Sequence, residues 1–185
     1  MDKTATAGQQ AGQTAVAEAG KYLTFSLGDE HYGLEIIRVQ EIVGLIPVTR
    51  IPRLPAFVAG VVNLRGRVIP VVDLRLVFGM PGSAMDDRTC IIVVSIDRAD
   101  GSSAVMGVIV DEVSDVAYLA DDAIEETPEF GTTVDTSFIK GVGRYEERVV
   151  LLLDINGVLT AGELEDLDRV AVNGDTAAEV LKEES

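Results

Sequence analysis

Apolar and polar side chains alternate over short stretches between residues 21 and 160, which is the pattern of β-strands. Residues 22–27 alternate and are followed by the turn signal Gly28-Asp29, so they predict a hairpin with a returning strand at 31–34. Runs rich in Val and Ile predict further strands at residues 67–72, 90–96, 104–110, 113–119 and 148–153. Many short strands separated by Gly and Pro are typical of closed barrels.

Short helices are predicted between and after these strands. Asp73 can cap a helix over residues 74–78, with a glycine after it as the stop, and Asp154 can cap another over 155–159. A last set of apolar residues at helical spacing comprises Leu164, Leu167, Val170 and Ala171. We therefore expect a C-terminal helix, followed by an acidic helix or tail over residues 171–185.

The chain also contains an internal repeat. Residues 60–74 align with residues 141–155 at an offset of 81, and Gly, Val, Arg, Val and Asp coincide in order. Residues 33–42 align with residues 107–116 at an offset of 74. Val-rich strands can align by chance, but both signals occur in the same order in the two halves. The repeat therefore favours two similar barrels of about five strands, side by side, with a groove between them for a partner.

Composition divides the chain into three parts. Residues 1–20 contain six Ala, three Gly, three Gln and three Thr, which predicts a disordered tail. Residues 21–170 form the predicted folded domain, and an acidic segment follows. Within the domain we expect one barrel from about 21–75 plus C-terminal elements, and the other from about 76–155.

Charge and rare residues exclude several classes of function. The formal net charge of −16 argues against a nucleic-acid partner, because an acidic surface repels phosphates. One cysteine and one histidine exclude a disulfide scaffold and a one-chain Cys/His zinc site. The apolar runs are too short for a membrane helix, and no signal peptide is evident. We therefore expect a cytoplasmic protein without direct membrane insertion, which reaches a membrane only through partners.

Basic residues concentrate in one segment. Residues 38–75 carry six arginines against two acids, a net +4 in an acidic chain. These arginines either solvate loops or form a docking surface, to which arginine contributes forked hydrogen bonds.

Motifs for catalysis are incomplete. Gly20-Lys21 lacks the rest of a phosphate-binding loop, and Gly141-Val142-Gly143 begins a dinucleotide fingerprint that Glu146 interrupts. His31 is interpreted as a surface residue of a turn, and Cys90 as a small buried apolar residue. No cofactor is expected, and the sequence favours a protein that is not an enzyme.

Ordered motifs over about 145 residues resemble one known family. The matching segments are Tyr22-Leu23-Thr24-Phe25-Ser26-Leu27-Gly28-Asp29, Val39-Gln40-Glu41-Ile42, Gly60-Val61-Val62-Asn63-Leu64-Arg65-Gly66, Ile69-Pro70-Val71-Val72-Asp73-Leu74, Gly107-Val108-Ile109-Val110-Asp111-Glu112 and Pro128-Glu129-Phe130. In these segments the chain resembles the CheW family of chemotaxis coupling proteins. The resemblance implies a mostly β fold of two interleaved SH3-like five-stranded barrels, with short connecting helices and a C-terminal helix.

The resemblance also implies a function. CheW proteins are non-catalytic adaptors that link the cytoplasmic tip of transmembrane chemoreceptors to the CheA histidine kinase, within arrays that can also contain CheW–CheW contacts. It assigns receptor contact to Val39, Glu41, Asn63 and Arg65, and kinase or ring contact to Glu129 and Phe130. Ile36 and Ile42 are apolar candidates for the lining of the groove.

Alternatives remain open for these residues and for the whole protein. Arg65 could contact a receptor carboxylate or form an internal ion pair with Glu41, and both roles can coexist. Phe130 could anchor its own segment in the core or act as a hot spot for a partner. The chain could also be a CheW-like scaffold of another chemosensory system, such as one for type IV pili or a developmental phosphorelay. The third alternative is an enzyme that uses an unrecognised carboxylate pair.

Overall fold

The computed structural model describes residues 17–82, 84–98, 100–127, 138–160 and 162–169, and β-strands dominate it. The strands are β1 (Gly20–Leu27), β2 (Glu30–Glu35), β3 (Val39–Gly44), β4 (Val58–Leu64), β5 (Arg67–Asp73), β6 (Cys90–Asp97), β7 (Ser103–Val110), β8 (Glu112–Leu119), β9 (Ile124–Glu125), β10 (Ile139–Tyr145) and β11 (Arg148–Leu153). Helical elements are α1 (Leu74–Val77), residues 162–169, and short 3-10 turns at Ile36–Arg38, Asp121–Ala123 and Ile155–Gly157. Every strand expected from the alternating pattern is present.

The strands form two sheets. Sheet A has the order β8-β1-β2-β11-β10-β9, and sheet B has the order β3-β6-β7-β5-β4. Most neighbours are antiparallel, whereas β2 with β11 and β5 with β7 are parallel pairs. This architecture confirms the mostly β fold with two similar subdomains.

The ends of each sheet are brought together by the segment that follows its edge strand. In sheet B, Thr49 follows β3 and exchanges backbone hydrogen bonds of 2.8 and 2.9 Å with Val61 of β4. In sheet A, β9 follows β8 directly and pairs with β10, where Glu125 lies opposite Val142. Each sheet therefore curls round toward its other edge, as in the barrels that the repeat predicts.

The two repeats exchange strands, and this corrects the predicted division of the domain. Sheet B takes its strands from residues 39–110, and sheet A takes its strands from residues 20–35 and 112–153. The expected division at residues 75 and 76 follows the sequence repeat instead. The reason is that β3 leaves its neighbour β2 and pairs with β6, while β8 leaves β7 and pairs with β1.

The core has three layers, because each sheet buries apolar residues on both of its faces. One face of sheet B packs in its own cluster, which contains Val62, Ile69, Val71, Ile91, Val93 and Ile109. The interior of sheet A contains Tyr22, Ala117, Leu119, Val150 and Leu152. The largest cluster, here called the central cluster, lies between the sheets and includes Leu23, Phe25, Leu34, Ile92, Val94, Met106, Val108 and Leu153. The two subdomains are therefore held together by apolar burial, which is the main favourable term in folding.

The helices begin where the sequence places their caps. Asp73 accepts a hydrogen bond from the Arg75 backbone N–H at 3.0 Å, and α1 follows it. Asp154 caps in the same way, but a 3-10 turn over Ile155–Gly157 replaces the helix expected to residue 159.

The C-terminal helix begins with a reciprocal cap. The Glu163 carboxylate accepts from the Thr160 backbone N–H at 2.8 Å, and the Thr160 hydroxyl accepts from the Glu163 N–H at 3.1 Å. Leu164 and Leu167 pack on the central cluster, as their spacing predicts. The rest of that apolar set, Val170 and Ala171, lies outside the described residues, as do the segment 171–185 and residues 1–16 of the predicted N-terminal tail. The last residues of that tail belong to the fold, since the Ala17 N–H donates to the Lys140 carbonyl oxygen at 3.3 Å and β1 begins at Gly20. Among the residues that the structure describes, no helix is long and apolar enough to cross a membrane.

Candidate functional site

The four residues predicted for receptor contact lie on one rim of sheet B. Val39 and Glu41 are on β3, Asn63 is near the end of β4, and Arg65 is in the turn that leads to β5. An Arg65 guanidinium nitrogen donates to the Glu41 carboxylate at 2.6 Å, which joins the turn to β3. The structure therefore brings together residues that are separated by 24 positions in the chain.

The turn that carries Arg65 has an unusual backbone. Arg65 and Gly66 have φ angles of 53° and 85°, which is the geometry of a two-residue type I′ hairpin turn. The Asn63 side-chain oxygen accepts from the Gly66 N–H at 3.0 Å and holds the turn. Such positions favour Gly, Asn or Asp, because a larger side chain is strained at positive φ. An arginine in this position costs stability, and Glu146 and Glu147, with φ angles of 50° and 65°, carry the same strain in the hairpin of the second repeat. The strain therefore belongs to the turn and does not by itself mark a binding residue.

The ion pair leaves most of the Arg65 guanidinium free for a partner. The Arg65 side chain is 78% exposed, and the described contact with Glu41 occupies one of its nitrogens. An exposed pair of this kind contributes about 0–1 kcal/mol to stability. In the second repeat the position of Glu41 corresponds to Asp115, which accepts from the Tyr145 hydroxyl at 3.3 Å instead. The internal ion pair is thus present, and it is compatible with a receptor contact.

The apolar candidates differ in exposure and position. Val39 is partly buried and packs against the central cluster. Ile42 on β3 is 42% exposed, so it is available to a partner. Ile36 lines a small cavity with Lys21 and Tyr22 of sheet A, away from the middle of β3. Ile36 and Ile42 therefore belong to different parts of the surface.

The central cluster fills the space between the sheets. Its buried side chains come from both sheets, so a partner helix can contact only the rim of the subdomain interface. The groove between the barrels stays a prediction. In this fold, Val39 would form the bottom of such a groove, since it packs against the central cluster.

The structure has a second exposed apolar surface, which the sequence did not predict. Ile37 is 83% exposed, Tyr118 is 65% exposed and Val116 is 48% exposed. Tyr118 lies opposite Lys21 across the β1–β8 pair, and Lys21 lines the same cavity as Ile36 and Ile37. We call Ile36, Ile37, Val116 and Tyr118 the β1–β8 patch. Two consecutive isoleucines, Ile36 and Ile37, directly follow β2, and this pair in the sequence could have indicated an exposed apolar site.

The arginine-rich segment divides into paired and free side chains. Arg38 pairs with Asp97, Arg65 with Glu41 and Arg75 with Asp111. The remaining three, for which the described part of the chain offers no ion pair, are Arg50, Arg53 and Arg67. The segment is therefore mixed: three of its arginines are held in ion pairs within the fold, and the other three are available to solvent or to a partner.

Arg75 and Asp111 join three elements of the fold. The Arg75 Nε donates to both oxygens of Asp111, at 2.9 and 3.1 Å, and its Nη2 also donates to Asp111. The backbone N–H of Gly28 donates to the same carboxylate at 2.7 Å. The hydrogen bond with Arg75 lowers the pKa of Asp111, and the Gly28 N–H adds to the effect. The contact ties α1 to the β1–β2 turn and to the β7–β8 junction.

Asp111→Asn should destabilise the protein at neutral pH and much less in acid. The folded pKa of Asp111 lies below its unfolded value of about 4, so its stabilisation is present above that value and is lost as pH falls through the folded pKa. We expect urea unfolding to show a loss of about 2 kcal/mol at pH 7, because the poorly exposed Arg75 loses its partner. The difference between the two proteins should shrink below pH 4.

A pH-independent difference would contradict this assignment. Asp73 titrates in the opposite sense, since burial raises its pKa, but it is present in both proteins. Comparison of the two proteins at each pH therefore isolates Asp111.

Two predicted site residues, Glu129 and Phe130, lie outside the described residues. Within the described ranges, no group of three or more His, Cys, Asp or Glu side chains could hold a metal ion.

The chain is similar to proteins of known name. The model of the CheW-like domain family matches residues 21–163. A chemotaxis protein CheW of Klebsiella aerogenes is 41% identical over 171 residues, which cover 92% of this chain and 98% of that protein. Protein FrzA of Myxococcus xanthus is 31% identical over 50% of this chain and 55% of its own. The crystal structure of the scaffolding protein TtCheW from Thermoanaerobacter tengcongensis has a TM-score of 0.67 and 34% identity, and covers 78% of this chain and 95% of that one.

Proposed function

Because the chain belongs to the CheW family of chemotaxis scaffold proteins, we propose that it couples transmembrane chemoreceptors to the CheA histidine kinase. It acts by binding and not by catalysis, and it reaches the membrane from the cytoplasm through its partners. The similarity to CheW extends over nearly the whole chain, whereas that to FrzA covers half of it. This difference favours chemotaxis over another chemosensory system.

The receptor contact is proposed at the rim of sheet B, and the observation that carries it is the Arg65–Glu41 ion pair, which holds a guanidinium group that is still largely exposed. Arg65 presents free guanidinium nitrogens, with Glu41 fixing the direction of the side chain, and Ile42, the residue after Glu41 on β3, is exposed. A receptor helix with an acidic residue next to an apolar one would match this surface in charge and hydrophobicity. Asn63 supports the turn through its hydrogen bond to Gly66.

The kinase contact is proposed at the β1–β8 patch, together with Glu129 and Phe130. Val116 and Tyr118 of the patch lie on β8 of sheet A, and Ile36 and Ile37 lie in the turn between β2 and β3, whereas the receptor residues lie on β3, on β4 and in the turn after β4. Exposed large apolar side chains that adjoin one another mark protein interaction sites. Contacts on two sheets would let the adaptor bind both partners at once, and contacts between copies of the chain could extend the array.

Arg65→Asn should weaken binding of a receptor tip fragment by about tenfold or more while the fold is kept. Asn tolerates the positive φ of this position, so the turn remains, but the charge-assisted hydrogen bonds to the receptor are lost. Binding can be measured by isothermal titration. Asp in place of Val39 would be a poorer test, since Val39 packs against the central cluster.

Glu146→Asn is the matched control. Glu146 holds the same position in the hairpin of the second repeat, with a φ of 50°. Receptor binding should not change in this variant. Equal affinity of Arg65→Asn and the unmodified protein would reject the receptor site on sheet B.

A further inference from the structure

The parallel seam of sheet B is shorter than its counterpart in sheet A. In sheet A, β11 and β2 pair from Val150 with His31 to Leu153 with Leu34. The repeat offsets of 81 and 74 place the corresponding seam of sheet B at β5 and β7. There the pairing begins only at Val71 with Gly107. Ladder pairing is therefore missing where Ile69 and Pro70 would lie opposite Val105 and Met106.

Pro70 explains why this seam opens. It occupies the position of Leu151, which pairs with Tyr32 in sheet A. Proline has no N–H to donate. Leu64 and Arg67 close a two-residue hairpin, and hydrogen-bonded pairs alternate along it, so the nitrogen of Pro70 faces away from β4 and toward β7. The missing donor is thus on the edge where pairing stops.

The open seam forms a cleft between the two strands. The cavity measures about 300 Å³ and is bounded on one side by helical residues 162–169. Its apolar lining includes Val68, Ile96, Met106, Leu164 and Leu167. Its polar lining consists of Arg67, Arg98, Ser103 and Asp168. The cavity combines an apolar interior with a few polar groups, which is the usual composition of a ligand site.

The charged groups of the cleft do not balance. Asp168 accepts from Nη2 of Arg98, but Nε of Arg98 is buried without a hydrogen-bond partner. Arg67 has no ion pair among the residues that the structure describes. Two guanidinium groups against one carboxylate leave a net charge of +1 in a protein with a net charge of −16.

From this geometry we propose that the cleft binds a small amphipathic monocarboxylate. Its carboxylate lies between Arg67 and Arg98, whose planar guanidinium groups match it in shape and charge. Its aliphatic body lies against Met106, Leu164 and Leu167. The ligand thereby joins the C-terminal helix to the open strands of sheet B. This site does not depend on the proposed receptor and kinase contacts.

Hexanoate is a suitable probe, and its binding can be followed by isothermal titration and by amide chemical shifts of the full chain. We expect saturable binding at millimolar concentration, with shifts at Val105, Met106 and Leu167. 1-Hexanol should bind at least tenfold more weakly, because it lacks the charge that the arginines recognise. No shift with hexanoate up to about 10 mM, or equal affinity for the alcohol, would overturn the proposal.

Variants then locate the site. Arg98→Met and Arg67→Met should each lower hexanoate affinity at least tenfold, and the second keeps the proposal testable if the first fails to fold. Arg148→Met is the matched control, since Arg148 corresponds to Arg67 in the other repeat, and it should change nothing. Pro70→Leu should restore the seam seen in sheet A and abolish binding. Hexanoate binding that survives in Arg67→Met and Pro70→Leu would disprove the site.

Discussion

Replacing Gly60 with alanine should lower the free energy of unfolding by about 3 kcal/mol or more, the largest stability effect expected from one added methyl group in this protein. A Cβ at Gly60 would lie 2.9 Å from the carbonyl carbon of Thr49 and closer still to its oxygen. Both are backbone atoms of the segment that closes sheet B, so they cannot rotate away. The φ of 144° adds strain for any residue with a side chain.

Thermal and urea unfolding would measure this loss, with an expected fall in Tm of roughly 6–12 °C. Gly44→Ala is the matched control, because a Cβ there would meet nothing within 4 Å. Gly141→Ala, the corresponding change in the second repeat, should be milder, since its nearest backbone atom is the Glu125 oxygen at 3.0 Å. A Gly60→Ala protein as stable as Gly44→Ala would show that the closure at Thr49 is not fixed.

Gly60 also shows how far the sequence could predict the fold. Gly60 aligns with Gly141 in the internal repeat. The structure explains why both positions are glycine: Thr49 approaches β4 closely at Gly60, and Glu125 approaches β10 closely at Gly141. Alternation in the sequence located β1, and a run of Val and Leu located β11, because both patterns are typical of strands. The resemblance implies interleaved barrels, but the residues do not show that β3 and β8 are the strands that change sheet, because a strand carries the same pattern whichever sheet it joins.

The site was predictable only in part. The family resemblance assigned Glu41 and Arg65 to one contact surface, and the two side chains are indeed paired. The positive φ of Arg65 is a further feature, which could not be predicted from the amino-acid sequence. Val39 and Ile42 looked alike as apolar residues of one strand, yet only Ile42 is widely exposed. The β1–β8 patch could not be predicted, because apolar residues in a sequence are first assigned to the core. Only the pairing of β1 with β8 places Tyr118 opposite Lys21, which lines the same cavity as Ile37.

Ile37→Asp should weaken binding to the CheA regulatory domain by about 100-fold, the largest binding effect that we expect. A hot-spot residue of an interface contributes 2 kcal/mol or more, and an aspartate would add the cost of burying an unpaired charge. The side chain is 83% exposed in the free protein, so the fold should be unaffected. Titration calorimetry with the kinase domain, without nucleotide, measures the change directly.

Controls separate this effect from general loss of hydrophobicity and from added charge. Val149→Asp changes another widely exposed apolar residue, on β11, and should leave kinase binding within about threefold of normal because one exposed side chain outside an interface contributes little. Ile37→Ser removes the apolar contact without a charge and should still weaken binding at least tenfold, since the lost burial alone approaches 1.5–3 kcal/mol. Receptor binding should be unchanged in Ile37→Asp and reduced in Arg65→Asn, because Ile37 lies in the 3-10 turn at the Lys21 cavity, whereas Arg65 lies in the turn between β4 and β5. If Ile37→Asp and Val149→Asp bind the kinase equally well, the kinase uses another face of the adaptor.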